Sequence, residues 1–117
     1  MKKRILIVDD EFDDLLSMKA ILEKEGYCVT TVTNGERALD ILRSTKQDLV
    51  LIDILMPGLS GYEVLALIKE KINHNIKMLY ISIVPKKEVD LNGSNGFIQK
   101  PFSPKVLLSK VRSGLRK

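Results

Sequence analysis

Tryptophan is absent from this chain, and other aromatics are few: three Phe and three Tyr. Nucleic-acid bases would find no stacking platform here, and no zinc-finger spacing appears. There is one cysteine, Cys28, so no internal disulfide can form, which suits a reducing compartment. Long apolar runs are missing too. After "MKKR" only four apolar residues precede a block of acids, where a signal peptide needs about 7–15 and a membrane span ~18. The chain is therefore expected in the cytoplasm, without membrane contact. The one histidine, His74, falls in a polar stretch expected to be a loop, and Cys28 falls in a strand of its own, so no soft-metal site emerges. No repeat, low-complexity tract or linker interrupts the 117 residues, which read as one domain over 1–117.

Charge is plentiful, with Lys and Arg in excess to a net +4, but it is unevenly placed. Lys105, Lys110, Arg112, Arg116 and Lys117 gather at the C-terminal end. Cations late in a helix complement its dipole, so this cluster is read as a solvated basic helix rather than a surface for nucleic acid. The acids gather near the start, in "RILIVDDEFDD": Asp9, Asp10, Glu11, Asp13 and Asp14 follow a buried-looking strand. Like charges that close repel. Either they cap and solvate a helix start, or some of them hold a cation.

The rest of the chain supplies the frame. "RILIV" and "LVLIDIL" are continuous apolar runs, as expected of parallel strands covered on both faces. "YCVTTV" alternates with polar residues and is expected towards an edge; "IKMLYISIV" and the short "GFIQK" are the fourth and fifth strands. Helical spacing joins them. Phe12 to Glu25 places Leu15, Met18 and Leu22 on one stripe and ends at Gly26. Asn34 is the expected N-cap of a second helix burying Ala38, Ile41 and Leu42. "SGYE" has capping-box spacing before Leu65, Ile68 and Ile72, and Ser103–Pro104 opens a final helix. Only "PKKEVDLNGSNG", between strands four and five, breaks the pattern. Its one helical candidate, Lys86 to Leu91, is under two turns, and a loop or single distorted turn is expected. The pattern is (βα)5: a doubly wound parallel sheet with right-handed crossovers.

In such a sheet ligands bind beyond the carboxyl ends of the strands, where the strand order reverses. For the order 2-1-3-4-5 that point lies between strands one and three, which brings Asp9, Asp10 and Asp53 into one crevice. Taken singly, Asp9 and Asp10 suit an N-cap as well as a ligand. Asp13 and Asp14 suit the first turn of the helix, and no ligand role is assigned to them. Asp53 is different, because a lone acid in an apolar run is costly to bury without a partner. Three carboxylates with room for water suit Mg²⁺. One oxygen of Asp53 would then be free to act as a nucleophile on a phosphoryl group, with Lys100 and Ser82 at neighbouring strand ends to meet the transferred oxygens.

"ILIVDDE", "LVLIDILMPGLSGYEVL", the Ser82 strand end and "KPF" together resemble the receiver domain of two-component response regulators. The resemblance implies a flavodoxin-like fold with, here, a shortened fourth helix. It implies Asp53 as the phosphoacceptor, charged by a sensor histidine kinase or phosphotransfer protein, in a signalling switch rather than an enzyme. By the same resemblance Asp9, Asp10, Asp53 and the carbonyl of Leu55 hold Mg²⁺, and Ser82 and Lys100 bond the phosphoryl group. Phe97 would be the aromatic whose rotation marks the active state, and Lys100–Pro101 a cis bond.

Ile83 stands where a small residue is common, and Leu55 and Val84 are apolar where the family tunes attack by water. Ile83 and the short fourth helix favour one rival reading, a receiver-like scaffold that acts without phosphorylation; the intact Asp9, Asp10, Asp53, Ser82 and Lys100 argue against it. A second rival, a Mg²⁺-dependent phosphatase, commonly carries a second acid where Leu55 stands.

Overall fold

The computed structural model describes residues 2–73 and 75–116; the loop assigned to His74 and the charge of Lys117 lie outside the described residues. Five strands, β1 (Arg4–Val8), β2 (Cys28–Val32), β3 (Leu49–Asp53), β4 (Met78–Ser82) and β5 (Phe97–Gln99), form one parallel sheet in the order β2-β1-β3-β4-β5. The continuous apolar runs are interior strands with every residue of β3 and β4 buried, while the alternating β2 lies at an edge. Both were legible from covering: a strand packed on two faces has no room for polar alternation. The fourth strand is shorter than the apolar run at 76–84. Ile83 and Val84 leave the sheet after Ser82, and Ile76 packs into the core ahead of the strand.

Helices α1 (Phe12–Lys24), α2 (Gly35–Ser44), α3 (Gly61–Lys71) and α4 (Pro104–Arg116) cover the two faces. Their ends follow local chemistry. Asn34 Oδ1 accepts the Arg37 N–H at 2.9 Å, Ser60 and Glu63 form the reciprocal capping box, and Ser103 Oγ accepts the Val106 N–H at 3.1 Å. Helix α1 buries Leu15, Met18 and Leu22 as expected. It stops one residue early, at Lys24, and Gly26 follows in the left-handed region with φ +93°. In α2 the buried stripe is Ala38, Leu39 and Leu42, whereas Ile41 is only half-buried. The stripe is set by Gly35 one turn earlier, and Ile41 falls beside it.

Between β4 and β5 there is no α-helix, only a single 3₁₀ turn at Lys86–Glu88. The shortened fourth helix is thus one turn, and α4 is the last helix of the chain. Val89 and Leu91 pack partly against the core, and Tyr62 Oη accepts the Asp90 N–H at 3.1 Å. Asn95 closes the segment by exchanging bonds with Met78, its N–H to the Met78 carbonyl at 2.7 Å and its Oδ1 from the Met78 N–H at 2.8 Å.

The period of two along each strand sorts the core into two layers. Leu6, Val8, Val50, Ile52, Met78, Tyr80 and Phe97 face the side of α2 and α3. Ile5, Ile7, Leu49, Leu51, Leu79, Ile81 and Ile98 face the side of α1 and α4. Asp53 shares the parity of Leu49 and Leu51, and Ser82 that of Met78 and Tyr80. The two therefore leave the sheet on opposite faces. Gly61 brings α3 directly onto the end of β3: a Cβ there would lie 2.6 Å from the Asp53 carbonyl oxygen and 2.8 Å from Ile54 Cα.

Candidate functional site

Register makes the site. Val8 pairs with Ile52, so Asp9 and Asp53, one residue further on, end side by side on neighbouring strands. Ser82 pairs with Gln99, which sets Lys100 one step past β5. Lys100 has the parity of Ile98, and its side chain crosses to the α1 side, where it is only 9% exposed. There Lys100 Nζ donates to Asp9 Oδ2 at 2.8 Å and to Asp53 Oδ2 at 2.9 Å. The Lys100–Pro101 bond is cis.

The second oxygens of the two acids are held by main chain. Asp9 Oδ1 accepts the Glu11 N–H at 2.9 Å, and Asp53 Oδ1 accepts the Leu55 N–H at 3.0 Å. Asp9 and Asp10 are therefore not N-caps of α1: Glu11 occupies that position without a side-chain bond. Asp10 is exposed, and its carboxylate has no hydrogen bond or ion pair among the described residues. One oxygen from each of Asp9, Asp10 and Asp53 can be chosen so that all three lie within 4.8 Å of one another. An all-carboxylate donor set, fixed on one side and open to water on the other, fits a hard divalent cation of the Mg²⁺ type.

Electrostatics agree with that fit. Burial raises the Asp9 carboxyl above its usual range, outweighing the lowering by Lys100 and the Glu11 N–H, while the charge of Asp53 raises it further. Burial also works against the Lys100 ammonium, but Asp14, Asp9 and Asp53 outweigh it and hold its pKa above the ordinary lysine value. The Lys100 shift reports the negative charge gathered around it, whereas the Asp9 shift reports chiefly burial.

Asp14 is the residue that the sequence left unassigned. It lies in the first turn of α1 as expected, yet its Oδ2 is 2.8 Å from Lys100 Nζ. Nothing in the spacing of five acids distinguishes it from Asp13, which is exposed; only the reach of the Lys100 side chain from the end of β5 does so. Ser82 is the converse case. It is fully buried at the end of β4, but its Oγ accepts the Val84 N–H at 3.1 Å and makes no bond to Asp53 or Lys100. Leu55 is half exposed and Ile83 is 68% exposed; both border a hollow of about 230 Å³ with Asp10, Glu11, Asp14, Asp53 and Lys100. Phe97 is buried in the α2–α3 layer. A hollow of about 300 Å³ adjoins it, sharing Asp14, Ile83 and Lys100, but Asp53 does not line it.

No helix of the described residues is long and apolar enough to cross a membrane. A family described as "Response regulator receiver domain" matches residues 5–112. The DNA-binding response regulator MtrA of Mycolicibacterium paratuberculosis is 33% identical over 122 residues, covering 100% of this chain and 53% of its own length. The chain thus spans about half the length of the curated relatives it matches. Among solved structures, the response regulator TrrA of Thermotoga maritima in complex with Mg²⁺-BeF is 35% identical, with a TM-score of 0.86 over 96% of this chain and 98% of that one. TrrA in complex with the histidine kinase ThkA matches at 36% identity and a TM-score of 0.87, over 97% of this chain and 98% of that one.

Proposed function

The chain belongs to the response regulator receiver domain family, and from that premise we propose that it is a signalling switch charged by phosphorylation of Asp53. The observation that carries this is the setting of Asp53. It ends an interior strand, 6% exposed, with one oxygen on the Leu55 N–H, the other on Lys100, and an acid pair beside it. A carboxylate held this way is aimed and desolvated without being sealed off.

The phosphodonor is the phosphohistidine of a sensor histidine kinase or phosphotransfer protein, as the TrrA–ThkA complex suggests for a relative. An oxygen of Asp53 forms a bond to phosphorus as the phosphorus–nitrogen bond breaks. The electron pair of that bond stays on the imidazole. Asp9, Asp10 and Asp53, with the main-chain carbonyl of Leu55, would hold Mg²⁺, which supplies charge neutralisation for the phosphoryl oxygens. Lys100 offers its ammonium to one of those oxygens, and Ser82 turns its hydroxyl from Val84 towards another. Leu55 and Val84 have no polar group to orient a water, so the acyl phosphate should persist. The chain then acts as a phosphoacceptor, with self-phosphorylation and self-dephosphorylation as its only chemistry, one domain over 1–117 in the cytoplasm.

MtrA is named as DNA-binding, but that name belongs to a protein of which this chain spans about half. In these residues Arg112 pairs with Glu25, and the basic side chains of α4 are not interleaved with aromatics. We therefore assign the chain itself no nucleic-acid contact.

Intact-mass measurement after incubation with acetyl phosphate and Mg²⁺ tests the proposal. One phosphoryl mass is expected, labile to base and absent from Asp53→Asn. An adduct that survives in that variant would overturn the assignment. No adduct in the unaltered protein would favour the scaffold reading, to which the exposed Ile83 at the mouth of the site points.

A further inference from the structure

Three carboxylates share one ammonium at nearly equal distance: Asp9 at 2.8 Å, Asp14 at 2.8 Å and Asp53 at 2.9 Å from Lys100 Nζ. A lysine ammonium has three N–H donors, so none is left over for a new oxygen. Binding a phosphoryl oxygen therefore requires Lys100 to give up a contact it already has. The three partners differ in what that loss would cost. Asp9 is fully buried, and stripping its counter-charge would leave an unpaired carboxylate in the interior. Asp53 is the group being modified. Asp14 has a side chain 36% exposed, where those of Asp9 and Asp53 are at most 9% exposed. Water can replace Lys100 at Asp14 more cheaply than at either of the others.

Taking Asp53 as the phosphoacceptor, we propose that Asp14 is a positioning residue that competes with the incoming phosphoryl group for Lys100. Its carboxylate holds the ammonium towards α1 in the resting protein and must release it when Asp53 is charged. Asp14 also lines both hollows that open beside Lys100, so its own negative charge meets any anionic donor that enters. Both effects have the same sign. Asp14 slows charging of Asp53 and keeps the switch off until a donor supplies a better partner for Lys100. An acid in the first turn of a helix also answers the helix dipole. Asp13 shares that role on the same turn without contacting Lys100, which makes it the natural control.

The test compares initial rates of adduct formation with acetyl phosphate at saturating Mg²⁺ in Asp14→Asn, Asp14→Glu and Asp13→Asn. Asp14→Asn should react faster by about fivefold, the upper worth of a part-exposed ion pair. Asp14→Glu, which keeps charge and reach, should return towards the unaltered rate, and Asp13→Asn should stay at it. In the uncharged protein, the NMR resonance of the Lys100 ammonium should move in Asp14→Asn and stay in place in Asp13→Asn. An unchanged or slower rate in Asp14→Asn, an equal gain in Asp13→Asn, or an unmoved Lys100 resonance would each overturn the inference. Absence of any adduct from the unaltered protein would instead be a failure of Asp53 as acceptor and would take this inference with it.

Discussion

Asp10 and Asp14 are both acids that follow β1, yet the fold gives them different work. Asp14 leans on Lys100, while Asp10 stands exposed beside Asp9 and Asp53 with no cation of its own. Three carboxylates thus share one ammonium with a fourth beside them, and the excess is what a divalent ion would relieve. Asp10→Asn should weaken Mg²⁺ binding by on the order of tenfold or more, since even an outer-shell change commonly costs that much. Asp13→Asn should leave it unchanged. Titration with Mg²⁺ checks the pair, and equal losses from both would reduce the cluster to a diffuse negative surface. By sequence Asp14, in the same first turn as Asp13, is as good a control. Its contact with Lys100 disqualifies it, because removing it also changes the counter-charge of the site.

At the scale of elements, the strand ends build the site and the fourth crossover sets it apart. That crossover keeps one 3₁₀ turn, tied down by Tyr62 at Asp90 and by Asn95 at Met78. Local turn bonds and single side-chain ties, rather than a helix or strand ladder, hold residues 85–94, which should make them the fastest to exchange amide hydrogens outside the termini. Tyr62→Phe removes the acceptor of the Asp90 N–H and should speed exchange there further, while the amide of Leu55, bonded to Asp53, stays as it was. Hydrogen exchange read by NMR distinguishes the two sites. Protection of the segment at the level of β4 would mean that its packing through Val89 and Leu91 holds it more firmly than its bonds do. The turn was legible in advance because Asn, Gly and Ser crowd "NGSNG" and leave few apolar anchors.

Across the whole molecule the charges separate by end. The acids collect where the strands finish, while α4 carries Lys110, Arg112 and Arg116 towards its C-terminus, so a net positive protein keeps a strongly negative crevice. An ion that binds only the folded crevice stabilises the entire fold by mass action. At a Mg²⁺ concentration ten times its dissociation constant the gain is about 1.4 kcal/mol. For a domain of this size that should raise the melting temperature by about 5 °C. Asp10→Asn should lose most of the shift at the same Mg²⁺ concentration. A melting curve indifferent to Mg²⁺ would argue that no specific site forms.

Period and punctuation in the chain determined the frame: apolar runs of strand length, helical stripes, the caps at Asn34, Ser60 and Ser103, and the stop at Gly26. These are local properties, fixed by what each short stretch can bury and bond. Asp53 stood out for the same reason, as an acid where burial should forbid one. Tertiary structure decided the rest, because it depends on distances between segments remote in the chain. It chose Asp14 over Asp13 as a partner of Lys100, through the reach of that side chain from the end of β5. It turned Ser82 away from Asp53, since the two strand ends differ in parity. It left Ile41 at the side of the α2 stripe, where contact with α3 rather than helical period selects what is buried. A one-residue step in register or face reverses each of these outcomes, and no stretch of sequence records such a step on its own.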